Sequence, residues 1–251
     1  VIVKLTPNVT NIVPPAKAAQ DGGADAVSLI NTINSIMRVD YDSLTMYPTT
    51  DGMGTHGGYC GEAVKPIALN MVAEIARHAE TRGLPISGIG GVTDWRDAVD
   101  FLALGASNVQ VCTAAMVYGF RIIEDLVDGL ATFLDDKGMT LEQLVGKAVP
   151  SVTDWQYLNL NYVEKAVIDQ DLCIMCGRCH VVCEDTSHQA ITSSVDGERR
   201  FEVIDDECVG CNLCVSVCPV EDCITMRQVS DDSAGKLNWT QHPNNPMRNT
   251  D

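Results

Sequence analysis

The chain has 251 residues, of which 45% are hydrophobic, and a formal net charge of −17. That length allows one large domain or two ordinary ones and buries a real core without disulfide staples. An excess of 34 acidic over 17 basic side chains argues against nucleic acid or an anionic membrane as the main partner, because long-range repulsion opposes both.

No apolar run is long enough to span a membrane, and no basic-then-apolar leader opens the chain, so a cytoplasmic location is expected. Residues 1–5, Val-Ile-Val-Lys-Leu, read as the middle of a buried strand with no lead-in and no initiating methionine. The expectation is that the chain is the later part of a longer one. Lys4 is expected to face inward from that strand. A buried ammonium without a partner is costly, so it should meet an anion or an electron-rich ring, with an internal salt bridge as the alternative.

Helical apolar spacing follows over residues 11–22 and stops at Gly22-Gly23. Residues 26–30 read as a strand apolar on both faces, as parallel sheets require. Residues 31–61 form a long, polar, glycine-rich stretch. Residues 66–82 read as an amphipathic helix with Ile67, Met71, Ile75 and Ala79 on one stripe. A strand over 84–89, a helix over 94–104 capped by Thr93 or Asp94, a strand over 108–112 and helices over 120–136 and 140–145 complete the first part. Four strand–helix units imply a parallel sheet with right-handed crossovers. Two architectures are compatible, a doubly wound open sheet and half of a (β/α)8 barrel. Both place sites at the strand C-terminal ends, where Lys4, Asn31-Thr32, Gly88-Ile89-Gly90-Gly91 and Cys112-Thr113 fall.

Gly88-Ile89-Gly90-Gly91 lies between a strand and a helix, where bare backbone amides and a helix N-terminus suit phosphate. Its spacing is not the dinucleotide fingerprint, and tight strand–helix packing is an equal explanation. Gly57-Gly58-Tyr59-Cys60-Gly61 reads either as a second backbone cradle or as a loop.

Composition changes beyond residue 162. Nine of the 11 cysteines crowd between Cys173 and Cys223. Cys173, Cys176, Cys179 and Cys183 form a C-x2-C-x2-C-x3-C run, and Cys208, Cys211, Cys214 and Cys218 repeat it, followed by Pro219. This is the spacing of two-cluster ferredoxins, in which the fourth cysteine of each run reaches the other cluster. One [4Fe–4S] cluster is therefore assigned to Cys173, Cys176, Cys179 and Cys218, and the other to Cys208, Cys211, Cys214 and Cys183. Zinc prefers pairs of short units supplying four ligands, and a disulfide framework needs an oxidising compartment. Glu184 stands where proline would usually follow Cys183, and Cys223 lies outside the pattern as a buried spare thiol.

Taken together, Lys4-Leu5-Thr6-Pro7-Asn8-Val9-Thr10, Asn31-Thr32, Gly57-Gly58 with Gly61, Lys65-Pro66-Ile67-Ala68-Leu69, Gly90-Gly91, Gln110-Val111-Cys112 and the tandem cysteine runs resemble the dihydropyrimidine dehydrogenase family. The similarity is greatest to the bacterial NAD-dependent type, which joins a dihydroorotate-dehydrogenase-like FMN barrel to an 8Fe ferredoxin domain. The resemblance runs from Val1 to about Arg227, although dihydroorotate dehydrogenases share the barrel motifs alone. It implies the later half of a (β/α)8 barrel over residues 1–160, a two-cluster ferredoxin domain over 161–227 and a polar tail over 228–251. It implies that Lys4 contacts FMN, that Asn31 and Thr32 bond the pyrimidine ring, and that Gly61, Ile89, Gly90, Gly91, Cys112 and Thr113 hold the FMN phosphate. The family's general-acid cysteine sits on a loop of the first barrel half, and no residue here matches it; Cys60 lies on the phosphate side. The implied reaction is reduction of the 5,6 double bond of uracil or thymine. NADH would supply electrons through a separate FAD-containing subunit in a hetero-oligomer, and this chain alone would be inactive. A flavin dehydrogenase for dihydroorotate or another cyclic substrate, and an electron-carrier module without catalysis, are the alternatives.

Overall fold

The computed structural model describes residues 1–158, 163–186 and 188–229. The chain divides into two compact units, Val1–Val152 and Thr153–Asp251. Residues 230–251, most of the expected polar tail, lie outside the described residues. Among those described, no helix is long and apolar enough to cross a membrane.

The first unit is built on four parallel strands, β1 (Ile2–Lys4), β2 (Ala26–Leu29), β7 (Ile86–Ile89) and β8 (Asn108–Gln110), which neighbour one another in chain order. A doubly wound sheet reverses direction at a switch point. This one winds a single way, as a (β/α)8 barrel does, which decides between the two architectures. Four short strands occupy the connection after β2: β3 (Ile33–Ser35), β4 (Arg38–Val39), β5 (Met46–Tyr47) and β6 (Gly57–Tyr59), paired antiparallel as β3–β6 and β4–β5. The long, polar, glycine-rich stretch over residues 31–61 thus contains two nested ribbons, too short and too glycine-rich to show alternation.

Register explains the chemistry of the sheet. Lys4 aligns with Ser28, Ser28 with Ser87, and Ser87 with Asn108. Side chains alternate across a strand, so these four polar residues form one row on one face, and Gln110 falls on the same face two residues beyond Asn108. Val3, Val27, Leu29, Ile86 and Gly88 point the other way, toward the helices. The expectation that residues 26–30 are apolar on both faces thus fails at Ser28. Nor is β1 a buried strand: Val1 and Ile2 are largely exposed. Lys4 is exposed too, so its ammonium is not the buried charge that a central strand would have imposed.

Helices cover the apolar face. Those packed on the strands are α1 (Val13–Asp21), α2 (Lys65–Arg77) and α3 (Trp95–Ala103); α4 (Thr113–Tyr118) lies at the strand C-terminal ends, and α5 (Ile122–Lys137) and α6 (Leu141–Leu144) pack against α3. Helix α2 ends five residues short of the predicted boundary. A 3-10 turn over Ala79–Thr81 replaces its last turn, and the Thr81 hydroxyl donates to the Ile75 carbonyl at 2.7 Å. Its buried stripe is Ala68, Val72 and Ile75, and Ile67 is exposed. The small Ala68 lets the helix approach the glycine turn: a Cβ on Gly90 would lie 2.9 Å from that of Ala68. Phe101 of α3 is fully buried beneath Gly88, where an added Cβ would stand 2.6 Å from its ring. Phe101→Ala is expected to cost about 3–5 kcal/mol, read from the urea midpoint of this unit.

A capping box opens α3, with Asp94 accepting from Asp97 N and Asp97 accepting in return. Asp97 also takes Thr93 N and Oγ1 at 2.7 Å each and pairs with the ammonium of Lys65, which reaches Asp100 at 2.7 Å. Burial alone would raise the Asp97 carboxyl, but Lys65 and the Thr93 and Asp94 donors outweigh it and hold it below the usual carboxylate range. A depressed folded-state value means that the stabilisation is present above about pH 4 and is lost as pH falls through that lower value. Asp97→Asn should cost about 2–3 kcal/mol at pH 7 and flatten the acid limb, measured by urea unfolding between pH 7 and pH 3.

The second unit pairs β9 (Glu164–Ile168) antiparallel with β10 (Ile224–Gln228). Helices α7 (Arg178–Asp185) and α8 (Leu213–Val217) pack beside them. The core is small: Ala166, Ile168, Ile191, Phe201, Ile224 and the inward cysteines. Helix α7 continues past Cys183 because Glu184 can extend it, whereas α8 stops at Cys218, next to Pro219.

Candidate cofactor cavity and paired cysteine centres

The C-terminal ends of β1, β2, β7 and β8 and the loops that follow them line one cavity of about 270 Å³. Lys4, Asn31, Thr32, Gly61, Ile89, Gly90, Gly91, Cys112 and Thr113 all line it. Residues separated by more than 100 positions are thus brought together.

At one end the backbone dominates. Gly90 and Gly91 adopt φ of +137° and +76°, conformations that L side chains rarely reach. A Cβ on Gly91 would press on Gly61 O and Lys65 Cβ, both at 2.9 Å. The segments around Gly61 and Gly91 therefore meet at backbone distance, and Thr113 reaches the first of them through its side chain, its hydroxyl donating to Cys60 Sγ at 3.4 Å. Bare amides, a hydroxyl and little side-chain bulk suit an anion such as phosphate. Helix α4 escaped the sequence reading because Cys112 gives its N-terminus no side-chain cap and its six residues span under two turns.

At the other end the groups are polar and oriented. Thr32 N donates to Asn31 Oδ1 at 2.9 Å, which commits the amide oxygen and leaves the NH2 group to face a ligand. Asn8 fastens the same segment, donating to Thr32 O at 3.1 Å and accepting from Asn34 N at 2.9 Å. Thr32 is wedged under Gly58, where a Cβ would fall 2.3 Å from its hydroxyl. Lys4 brings positive charge, and among the described residues no carboxylate is bonded to it. The floor was missed by the sequence reading: Gln110 Nε2 donates to Ser28 Oγ at 2.8 Å and Ser87 Oγ at 2.7 Å. Only strand register puts these three together. An anion cradle, a cation and an amide donor around one cavity fit a flavin mononucleotide.

The cysteines of the second unit rim two further cavities. Cys173, Cys176, Cys179 and Cys218 line one, with Cys223 beside them. Cys183, Cys208, Cys211 and Cys214 line the other. Each set takes three sulfurs from one run and the fourth from the other. The two loops repeat in backbone as well as in sequence. Met175 and Gly210, just before the second cysteine of each run, have positive φ, as do Gly177 and Asn212, just after it. Each loop thereby wraps its three sulfurs about one centre. Among the described residues no three histidine, cysteine or carboxylate groups converge closely enough to hold a single metal ion. The donor chemistry, four soft sulfurs around a cavity, fits a [4Fe–4S] cube.

Burial raises the Cys179 thiol to about 11, and neighbouring cysteines add to this against the opposing His180 amide; Cys214 is raised as well, again mainly by burial. As free thiols these sulfurs keep their protons, so metal loading must release them. Ala190 N donates to Cys183 Sγ at 3.2 Å. Cys223 is buried, raised to about 12 chiefly by burial, and directs its thiol at Asp169 O at 3.7 Å.

Comparison with known proteins matches the dihydroorotate dehydrogenase family model over residues 1–134. The chain belongs to the dihydroorotate dehydrogenase family. A 4Fe-4S dicluster domain follows over residues 166–226, so this family member carries an iron–sulfur domain behind its flavin-type fold. The NAD-dependent dihydropyrimidine dehydrogenase subunit PreA of Escherichia coli K12 is 40% identical over 243 residues, 96% of this chain and 58% of that protein. Catalytic subunits of dihydroorotate dehydrogenase B (NAD+) from Thermococcus kodakarensis and Pyrococcus horikoshii are 40% and 39% identical over 151 residues, 59% of this chain and 47% of each protein. The chain thus spans about half the length of these curated relatives.

Proposed function

We propose that this chain is the flavin- and iron–sulfur-bearing part of an oxidoreductase that reduces the 5,6 double bond of a pyrimidine base such as uracil or thymine. The observation that carries the reading is the extent of similarity. Likeness to the dihydropyrimidine dehydrogenase subunit runs through both units, whereas likeness to the dihydroorotate enzymes covers 151 residues.

FMN would be held by Lys4, Gly61, Ile89, Gly90, Gly91, Cys112 and Thr113, and the two clusters by the cysteine sets described above. When bound, FMN exchanges one or two electrons and each cluster exchanges one, which joins single-electron supply to two-electron chemistry on carbon. The residues of this chain bind and orient. Gly90, Gly91 and Gly61 keep side chains away from the phosphate. Lys4 lends positive charge to the cavity wall. Asn31 offers its NH2 to a ring carbonyl, with its oxygen already committed to Thr32. Gln110 ties the Ser28 and Ser87 hydroxyls together beneath. The electrons would come from NADH through a separate FAD-binding subunit, making the working enzyme a hetero-oligomer acting in the cytoplasm.

The test is anaerobic reconstitution with iron, sulfide and FMN. Uracil is expected to perturb the bound-flavin absorption spectrum, and Asn31→Ala to weaken that response at least tenfold. A response to orotate but not to uracil would favour a dihydroorotate-type enzyme. Assembly of both clusters without FMN binding would favour an electron carrier.

A further inference from the structure

Three thiols take no part in the cluster sets: Cys223, which is buried, and Cys60 and Cys112 of the first unit. Cys60 follows β6 and Cys112 follows β8, more than 50 residues apart in sequence. Both are exposed, and both line the cavity at its glycine-rich end. Their segments touch: the Thr113 hydroxyl, one residue from Cys112, donates to Cys60 Sγ at 3.4 Å, and a Cβ on Gly61 would lie 3.7 Å from Thr113 Cγ2. No described disulfide engages either sulfur. The anion cradle is therefore flanked by two accessible soft nucleophiles held on apposed loops.

We propose that Cys60 and Cys112 form a peroxide-sensitive dithiol whose oxidation closes the cradle against the cofactor's phosphate. This rests on the flavin reading of the cavity. One thiolate attacks the O–O bond of hydrogen peroxide, becomes a sulfenic acid and releases hydroxide. The second thiolate attacks that sulfur, expels hydroxide and completes the S–S bond. Two thiol protons and two hydroxides leave as two waters, and two electrons pass from the sulfurs to the peroxide. The bond draws together the loops between which the phosphate must sit, so flavin and disulfide exclude each other. Bound flavin in turn shields both thiols.

The chain is suited to a direct test because each thiol is the sole cysteine of its tryptic peptide, residues 39–77 and 97–121. The full chain, with clusters assembled anaerobically, is treated with one equivalent of hydrogen peroxide, alkylated and digested without reductant. The expected result is a linked 39–77/97–121 peptide, two mass units below the sum of its parts. FMN affinity by equilibrium dialysis should fall at least tenfold and return with dithiothreitol. FMN present beforehand should suppress the link. Cys60→Ser and Cys112→Ser, each compared with itself before and after peroxide, should show no peroxide-dependent loss. Absence of the linked peptide, or a link that leaves FMN affinity unchanged, would overturn the proposal. Failure of the untreated chain to bind FMN would instead refute the flavin reading, with the linked peptide still deciding whether the dithiol exists.

Discussion

Cys183→Ser is expected to remove the cluster of the opposite run and to spare the one nearest to it in sequence. Cys183 faces the cavity of Cys208, Cys211 and Cys214, and the cavity of Cys173, Cys176 and Cys179 is closed by Cys218. Iron should fall from about eight to about four atoms per chain. Which four are lost can be read by alkylation. Trypsin separates residues 166–178, with Cys173 and Cys176, from residues 201–227, with Cys208, Cys211 and Cys214 together with Cys218 and the buried Cys223. In Cys183→Ser the 201–227 peptide should gain three reactive thiols while 166–178 stays protected. Cys218→Ser should expose 166–178 instead. Local closure of each run would give the reverse pattern, and zinc in place of iron and sulfide would remove the basis of both expectations.

A valine at Gly91 should cost the chain its flavin and leave its iron intact. Gly91 sits at φ +76° with Gly61 O and Lys65 Cβ each 2.9 Å from an added Cβ. Strain and collision act together: the backbone must leave the left-handed region, which costs on the order of 1–3 kcal/mol, or push apart the segments that form the cradle. A loss of FMN affinity of at least a hundredfold is expected, with eight irons retained. Gly23→Ala provides the control. Gly23 also has positive φ, at +82°, but nothing lies within 4 Å of an added Cβ. It should lower stability without changing flavin affinity. Wild-type FMN binding by Gly91→Val would remove the cradle from the description of the cavity.

Much of this was readable from residue order because it depends on local rules. Cysteine spacing defines which three sulfurs a short loop can present to one centre, and the αL residues at Met175, Gly177, Gly210 and Asn212 execute that spacing. The capping residues Asp94 and Thr140 open α3 and α6 where sequence reading expects them. Errors arose where the deciding contact lies outside the repeat of the element itself. The end of α2 depends on Thr81 capturing Ile75 O, and its buried stripe depends on how near Ala68 must come to Gly90. The ribbons after β2 have too few residues for a period to emerge.

Sequence by itself determined the alternation of strands and helices, the two cysteine runs and the residues at strand ends, since periodicity and spacing are properties of neighbours along the chain. Only the tertiary structure decided that the sheet winds one way, that Lys4 stands exposed in a polar row with Ser28, Ser87 and Asn108, and that Gln110 binds two serines under the cavity. These are matters of register between strands far apart in sequence, where a shift of one residue turns every side chain to the opposite face.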